Sequence, residues 1–326
     1  MFRTRIIGTG HYFPEKVMTN ADLEEICDTT DEWIVQRTGI RQRHMIESGQ
    51  GPSDVGVPAA LEALDDAGLT TADVDLIVVC TTTGDYIFPA TACALQEKLG
   101  ITNTPAFDVN AACSGFMYGL STGDAFVRSG LYKTVLVVAS DVASNRINFR
   151  KRDTAVLFGD GAGAVVLRGE EGDRGILTSH LWADGSGREI LWLPAGGAVI
   201  PATRDTVDTD LNTIQMKGKE LFKRAVVEFV AAAKVACEAA GVTLEDIDCF
   251  VPHQANIRIT EAVGERLGFG PDRVVSNIDH AANTVAASIP IALNEAVREG
   301  RIQEGNLVLL ASFGAGLTWG SAIIRW

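Results

Sequence analysis

Two unbroken apolar runs, DLIVVCTTT at 75–83 and TVLVVA at 134–139, constrain this chain more than any other feature. Each is too short to cross a bilayer and suits a strand covered on both faces, as in a layered fold. Helical patterns surround them, at 20–27, 53–68, 91–99 and 114–128, with further strands at 4–10 and 105–109. The last of these strands reads as buried, Asn20 as a helix N-cap, and Leu23 and Ile26 as inward-facing. The glycine-rich FGDGAGAVVL at 158–167 is a turn opening into a strand, and its glycines read as permitting close backbone packing. From Gly175 the pattern restarts. Strand 176–183, loop 184–213, helix 217–240, strand 248–252, helix 256–267, strand 273–278, helix 284–299 and strands 306–312 and 317–325 follow. Strands alternating with helices in both parts predict a layered α/β fold of two duplicated halves, 1–175 and 176–326. Helix–strand–PHQAN–helix in the second is expected to match helix–strand–AACSG–helix in the first. The 184–213 loop is long for a compact domain and is expected to be functional or mobile.

The chemistry gathers where strands give way to helices. DVNAACSGFMYG at 108–119 places Cys113 at a first helical turn, where free N–H groups and the helix dipole favour a thiolate. A small buried cysteine packed between helix and sheet is the other reading. His253 ends the strand in DCFVPHQAN, and Asn283 sits in a small-residue turn before a helix, where asparagine also serves as a cap. ASFGAGLTWG at 311–320 offers bare backbone N–H groups to a reacting oxygen. In DTTDEWIVQRTGIRQRH at 28–44, Trp33 belongs either to a core or to a lip that stacks on a flat ring, with Arg37 or Arg41 holding a phosphate.

Composition narrows the classes. Six cysteines without paired short spacings argue against a zinc site or a disulfide framework. A formal charge of −14 argues against general nucleic-acid binding. With 46% hydrophobic and 21% charged residues, no basic-then-apolar leader and no membrane-length stretch, a cytoplasmic globular protein is expected.

Taken in order, DTTDEWIVQRTGIR, DVNAACSGF, FGDGAGA, VPHQAN, HAANT and SFGAGLTWG closely resemble β-ketoacyl-acyl carrier protein synthase III of the thiolase-fold condensing enzymes. The resemblance runs from the first strand to the terminal tryptophan. It implies an α-β-α-β-α layering and the initiating condensation of type II fatty acid synthesis. An acyl-CoA primer, expected to be acetyl-CoA, would acylate Cys113. Decarboxylative Claisen condensation with malonyl-acyl carrier protein would then give β-ketoacyl-carrier protein, CoA and CO2. His253 and Asn283 would bind the malonyl thioester carbonyl, and the N–H groups of Cys113 and Ala315 would form the oxyanion hole. Trp33, Arg37 and Arg152 match positions that hold CoA, while Gly218 and Asn256 match the pantetheine channel. Phe88, Phe158 and Phe313 match the acyl pocket, Phe88 reaching into the partner subunit of a homodimer. No metal or redox cofactor is implied. Ala315 stands where relatives often carry glycine, which would keep the N–H but narrow the site. Lys217, Lys219, Lys223 and Arg224 on one helix, with Arg258 and Arg266 on another, form a basic patch expected to dock the acidic carrier protein. A specialised condensing enzyme or acyltransferase of secondary metabolism and a cysteine hydrolase are the alternatives.

Overall fold

The computed structural model describes residues 2–326. The first half begins with β1 (Phe2–Tyr12). A ribbon of β2 (Lys16–Thr19) and β3 (Gln42–Met45) brackets α1 (Asn20–Glu24) and α2 (Asp31–Thr38). Then come α3 (Pro52–Asp66), β4 (Leu76–Cys80), α4 (Thr91–Lys98), β5 (Ala106–Val109), α5 (Gly115–Arg128), β6 (Thr134–Val142), α6 (Arg152–Ala155) and β7 (Asp160–Glu171). The second half holds β8 (Gly175–Ala183), β9 (Leu191–Trp192), α7 (Arg204–Val207), β10 (Gln215–Met216) and α8 (Gly218–Ala240). It closes with β11 (Cys249–Pro252), α9 (Ile257–Leu267), α10 (Ile278–Ala281), α11 (Ser288–Arg298), β12 (Leu307–Gly314) and β13 (Thr318–Arg325).

The strands form two principal sheets, ordered β1-β7-β6-β4-β5 and β11-β12-β13-β8. β4 and β6, the two apolar runs, lie buried inside the first sheet. A shared apolar core packs α5 and α11 between the sheets. α3 and α4 cover the outer face of the first sheet, and α8 and α9 that of the second. These are the five layers of a thiolase fold. The glycines of β7 pack as expected: a Cβ on Gly163 would lie 2.7 Å from the Ile291 backbone nitrogen in α11. Among the described residues, no helix is long and apolar enough to cross a membrane.

Several local expectations are corrected. Thr19, not Asn20, caps α1, its hydroxyl accepting from Asp22 N–H. Asn20 is drawn inward because the fully buried Arg43 guanidinium needs acceptors, and Asn20 Oδ1 supplies one at 3.0 Å. Ile26 is 46% exposed, two residues beyond the short helix. β5 is a half-buried edge strand rather than a buried one. Thr81–Thr83 leave β4 and turn onto Asp141 of β6.

Residues 273–278 do not form a strand, because the chain turns at once into α10; one parallel rung pairs Val274 with Phe250. That rung lies where β5 lies in the first sheet, and it resets the internal repeat. β5-β4-β6-β7-β1 matches the rung-β11-β12-β13-β8, with the same parallel and antiparallel pairings throughout. The Cys113 segment therefore corresponds to the Asn283 segment and α5 to α11. PHQAN corresponds instead to the turn after β4.

Candidate active site

Cys113 lies in a 3-10 turn, Ala112–Ser114, that feeds α5. Ala112 adopts φ +46°, a left-handed strain that swings the cysteine out of line with β5. The end of β12 presses on it. A Cβ on Gly314 would lie 2.8 Å from Cys113 Cβ and 2.9 Å from its nitrogen, so only glycine fits there. The hairpin is tied down by Thr318 Oγ1 donating to Ala111 O (2.9 Å) and Ser114 Oγ donating to Thr318 O (3.0 Å). This closeness brings the N–H groups of Cys113 and Ala315 near enough to the sulfur to favour its anion.

Sequence alone predicts a lowered thiol pKa, and the structure reverses that. Burial pushes the Cys113 thiol up to about 12, Asp141 adds to the rise, and the two N–H groups only oppose it. A helix terminus acts on a thiolate that water or a cation also stabilises; here desolvation wins. The resting group is a neutral thiol.

His253 extends β11, its N–H donating to Ala311 O at 2.9 Å. Burial holds its imidazole down to about 3, hence neutral. Nδ1 pairs with Ser288 Oγ, which also accepts Gln254 N–H at 3.2 Å. All these hydrogens find partners when Ser288 donates to Nδ1, leaving the proton on Nε2. Nε2 is buried and has no partner. Asn283 is braced through its backbone, N–H to Leu157 O and C=O from Gly159 N–H, both at 3.0 Å. Its Oδ1 accepts from Val285 N–H at 2.9 Å, a bond within the turn; the cap reading is corrected, because Thr284 and Ala287 hold the N-cap positions that follow, and the amide NH2 is left to donate elsewhere.

Cys113, His253 and Asn283 meet on the lining of one cavity of about 500 Å³. Arg37, Gly218, Asn256, Phe158, Phe313, Lys219, Lys223 and Arg258 line it too. Asn256 also caps α9, accepting from Arg258 N–H at 2.9 Å. A second space of about 80 Å³ opens beside Cys113, walled by Thr82, Thr83, Leu193, Ile214, Val285 and Ala315 among others. Phe158 borders both spaces, whereas Phe313 borders only the larger. Trp33 lines neither; half-buried on α2, it has Arg152 over its ring at 4.5 Å and Arg37 at 5.8 Å. Phe88 is 84% exposed and lines neither space within this chain.

The basic patch divides. Lys217, Lys219, Lys223, Arg258 and Arg266 are exposed. Arg224 is not free: it is half-buried, donates to Asp184 at 2.8 Å and lies 3.7 Å from Glu228.

The structure adds residues the motifs do not name. Ser288 orients His253, and its signal was a serine opening a helix after a turn. Leu191, Trp192 and Leu193 of the 184–213 loop wall the smaller space, giving that loop a place at the site. Asp141 was visible as an acid ending an apolar strand, TVLVVASDV.

One half-fold used twice, with the cysteine in the first copy and the histidine in the second, is the plan of the thiolase-fold condensing enzymes. A family model described as 3-oxoacyl-[acyl-carrier-protein (ACP)] synthase III matches residues 107–185, and its C-terminal companion matches 237–326. A β-ketoacyl-[acyl-carrier-protein] synthase III of Xylella fastidiosa is 52% identical, covering 99% of this chain and 98% of its own. That of Caldanaerobacter subterraneus subsp. tengcongensis is 49% identical over 98% and 97%. The crystal structure of 3-oxoacyl-[acyl-carrier-protein] synthase III from Aquifex aeolicus superposes with a TM-score of 0.91 at 43% identity, covering 99% of this chain and all of that one. The chain belongs to the β-ketoacyl-[acyl-carrier-protein] synthase III family, the initiating condensing enzymes of fatty acid synthesis.

Proposed function

We propose that this acyltransferase works by two half-reactions on one sulfur, with acetyl-CoA as primer and malonyl-acyl carrier protein as extender. The observation that carries the reading is the meeting of Cys113, His253 and Asn283 on one cavity, where the Cys113 and Ala315 N–H groups favour negative charge at the sulfur. In the first half-reaction Cys113 sulfur attacks the acetyl thioester carbonyl and CoA leaves as the thiol, taking up the proton that the cysteine gives up. The Cys113 and Ala315 N–H groups stabilise the oxyanion of the tetrahedral intermediate. In the second, the malonyl thioester oxygen takes hydrogen bonds from His253 Nε2–H and the Asn283 amide. Loss of CO2 places negative charge on that oxygen, where both donors already point. The enolate carbon then attacks the acetyl carbon and expels the Cys113 sulfur. A neutral imidazole suits this role, because it donates without first losing a proton.

The small space holds the acyl group, and its size favours a short primer. Trp33, Arg37 and Arg152 hold the CoA nucleotide at the mouth, with Gly218 and Asn256 along the pantetheine arm. Lys219, Lys223 and Arg258 dock the carrier protein, extended by Lys217 and Arg266. Tyr86, Ile87 and Phe88 are 67%, 89% and 84% exposed, an apolar patch that we assign to a homodimer interface, with Phe88 reaching the partner's acyl space.

Incubation with labelled acetyl-CoA, then malonyl-carrier protein, tests the reading. Label on the Cys113 peptide followed by a labelled β-ketoacyl product is expected. Acylation without condensation, or hydrolysis alone, would overturn it.

A further inference from the structure

Asp141 plays no part in the chemistry above, yet five donors converge on its fully buried carboxylate. Oδ1 accepts from the Thr81 hydroxyl (3.1 Å), Thr82 N–H (2.9 Å), Thr83 N–H (3.1 Å) and the Thr83 hydroxyl (2.8 Å). Oδ2 accepts from Ala286 N–H (3.1 Å). All five contacts donate to the carboxylate, three of them backbone N–H groups that can only donate, which favours the anion. Burial pushes its pKa up to about 6 against these bonds. The elements it joins belong to different halves. Thr82 and Thr83 wall the small space beside Cys113. Ala286 sits in the turn Val285–Ala287, whose first residue walls the same space, has φ +54° and caps the Asn283 side chain.

We propose that Asp141 is a positioning residue for acyl transfer: one buried carboxylate clamps the Thr81–Thr83 turn to the Val285–Ala287 turn, fixing the acyl wall and the placement of Asn283 against Cys113. Its charge has a second effect. A buried anion near the sulfur opposes the thiolate and keeps the resting thiol protonated. The other titratable groups on the sulfur's cavities are His253, held neutral, Arg146 on the small space, and Arg37, Lys219, Lys223 and Arg258 on the large one.

The inference rests on Cys113 as the acyl acceptor, so its test reads that residue directly. In Asp141→Asn, acylation of the Cys113 peptide by labelled acetyl-CoA should slow by about 100-fold, with the KM for acetyl-CoA within about twofold. The pH midpoint for iodoacetamide alkylation of that peptide should fall by about one unit. General loosening of the fold would raise alkylation at every pH without moving the midpoint. Thr81→Val combined with Thr83→Val removes two donors but keeps the charge; acylation should slow by about tenfold with the midpoint unmoved. Wild-type acylation or an unmoved midpoint in Asp141→Asn overturns the proposal. If that variant is insoluble, wild-type acylation in the double-threonine variant overturns it instead. A wild-type protein that acylates but never condenses would sink the proposed function and leave this test standing.

Discussion

The end of β4 and the end of β11 hold the same place in the two sheets, and they carry opposite chemistry. Cys80 pairs with Ala139 in one and Pro252 with Ala311 in the other, so Thr81 stands where His253 stands and Asp141 where Phe313 stands. In the first half this corner is saturated: the Thr81 and Thr83 hydroxyls and the Thr82 and Thr83 N–H groups all donate to one carboxylate. In the second, the imidazole keeps one buried nitrogen unpartnered on the cavity lining that Phe313 shares. A duplicated scaffold can thus let one copy hold the framework while the other leaves a buried donor unmet. An unmet donor is costly in the resting fold and becomes useful when a ligand oxygen arrives.

The sharpest break would come at the sulfur. Cys113→Ala should abolish label transfer from acetyl-CoA and lower condensation by about 1,000-fold or more, measured as β-ketoacyl product. Next, the two halves should separate kinetically. His253→Ala or Asn283→Ala should cut malonyl-carrier decarboxylation by about 100- to 1,000-fold while leaving acylation of Cys113 within about threefold. If both half-reactions fell together, the division of labour between the halves would fail.

Docking should sharpen the same division, since α8 and α9 both belong to the second half. Lys219→Glu with Lys223→Glu should raise the KM for the carrier protein by about tenfold, and added salt should shrink the difference. Arg224→Glu should instead disturb the fold locally, because it breaks the pair with Asp184.

The smallest effect concerns α10, which leads into Asn283. His280 hydrogen-bonds Glu295 at 3.1 Å and Asp279 at 3.0 Å, and Glu295 also lies 3.9 Å from His11. The Glu295 hydrogen bond, helped by both carboxylates' charges, raises the His280 pKa to about 9. A raised folded value stabilises fully below the unfolded value of about 6.5, and the gain disappears as pH climbs through about 9. His280→Gln should therefore lower the Tm at pH 6 and converge on the wild type near pH 9.5. A constant Tm gap across that range would refute the link.

Much of this was legible in residue order. The apolar runs fixed β4 and β6, and Phe116, Leu120, Gly123 and Val127 all face the core as their spacing predicts. Cys113, His253 and Asn283 were visible as strand-end groups. What lay hidden depends on distant partners. The stretch 273–278 reads as a strand but supplies only the rung at Val274, and residue order does not show which strand neighbours which, so the repeat was mispaired. Of the two readings of Cys113, the helix start and the small buried cysteine, both hold, and the thiol pKa was misjudged because the depth of burial under β12 does not show in sequence. Asp141 draws its donors from residues 58 to 60 and 145 positions away. Arg224 reads as a docking charge until Asp184 arrives from 40 positions earlier.

Each half also braces the other's key residue. Gly314, Ala315 and Thr318 wedge the segment around Cys113, while Leu157 and Gly159 grip the backbone of Asn283. Such reciprocal wedging leaves no hinge between the copies. Traffic through the tunnel then rests on side chains and loops at its rim, never on the lobes parting. A fragment holding one lobe would possess neither a cradled sulfur nor a cradled carboxamide, so the site exists only where the two lobes meet.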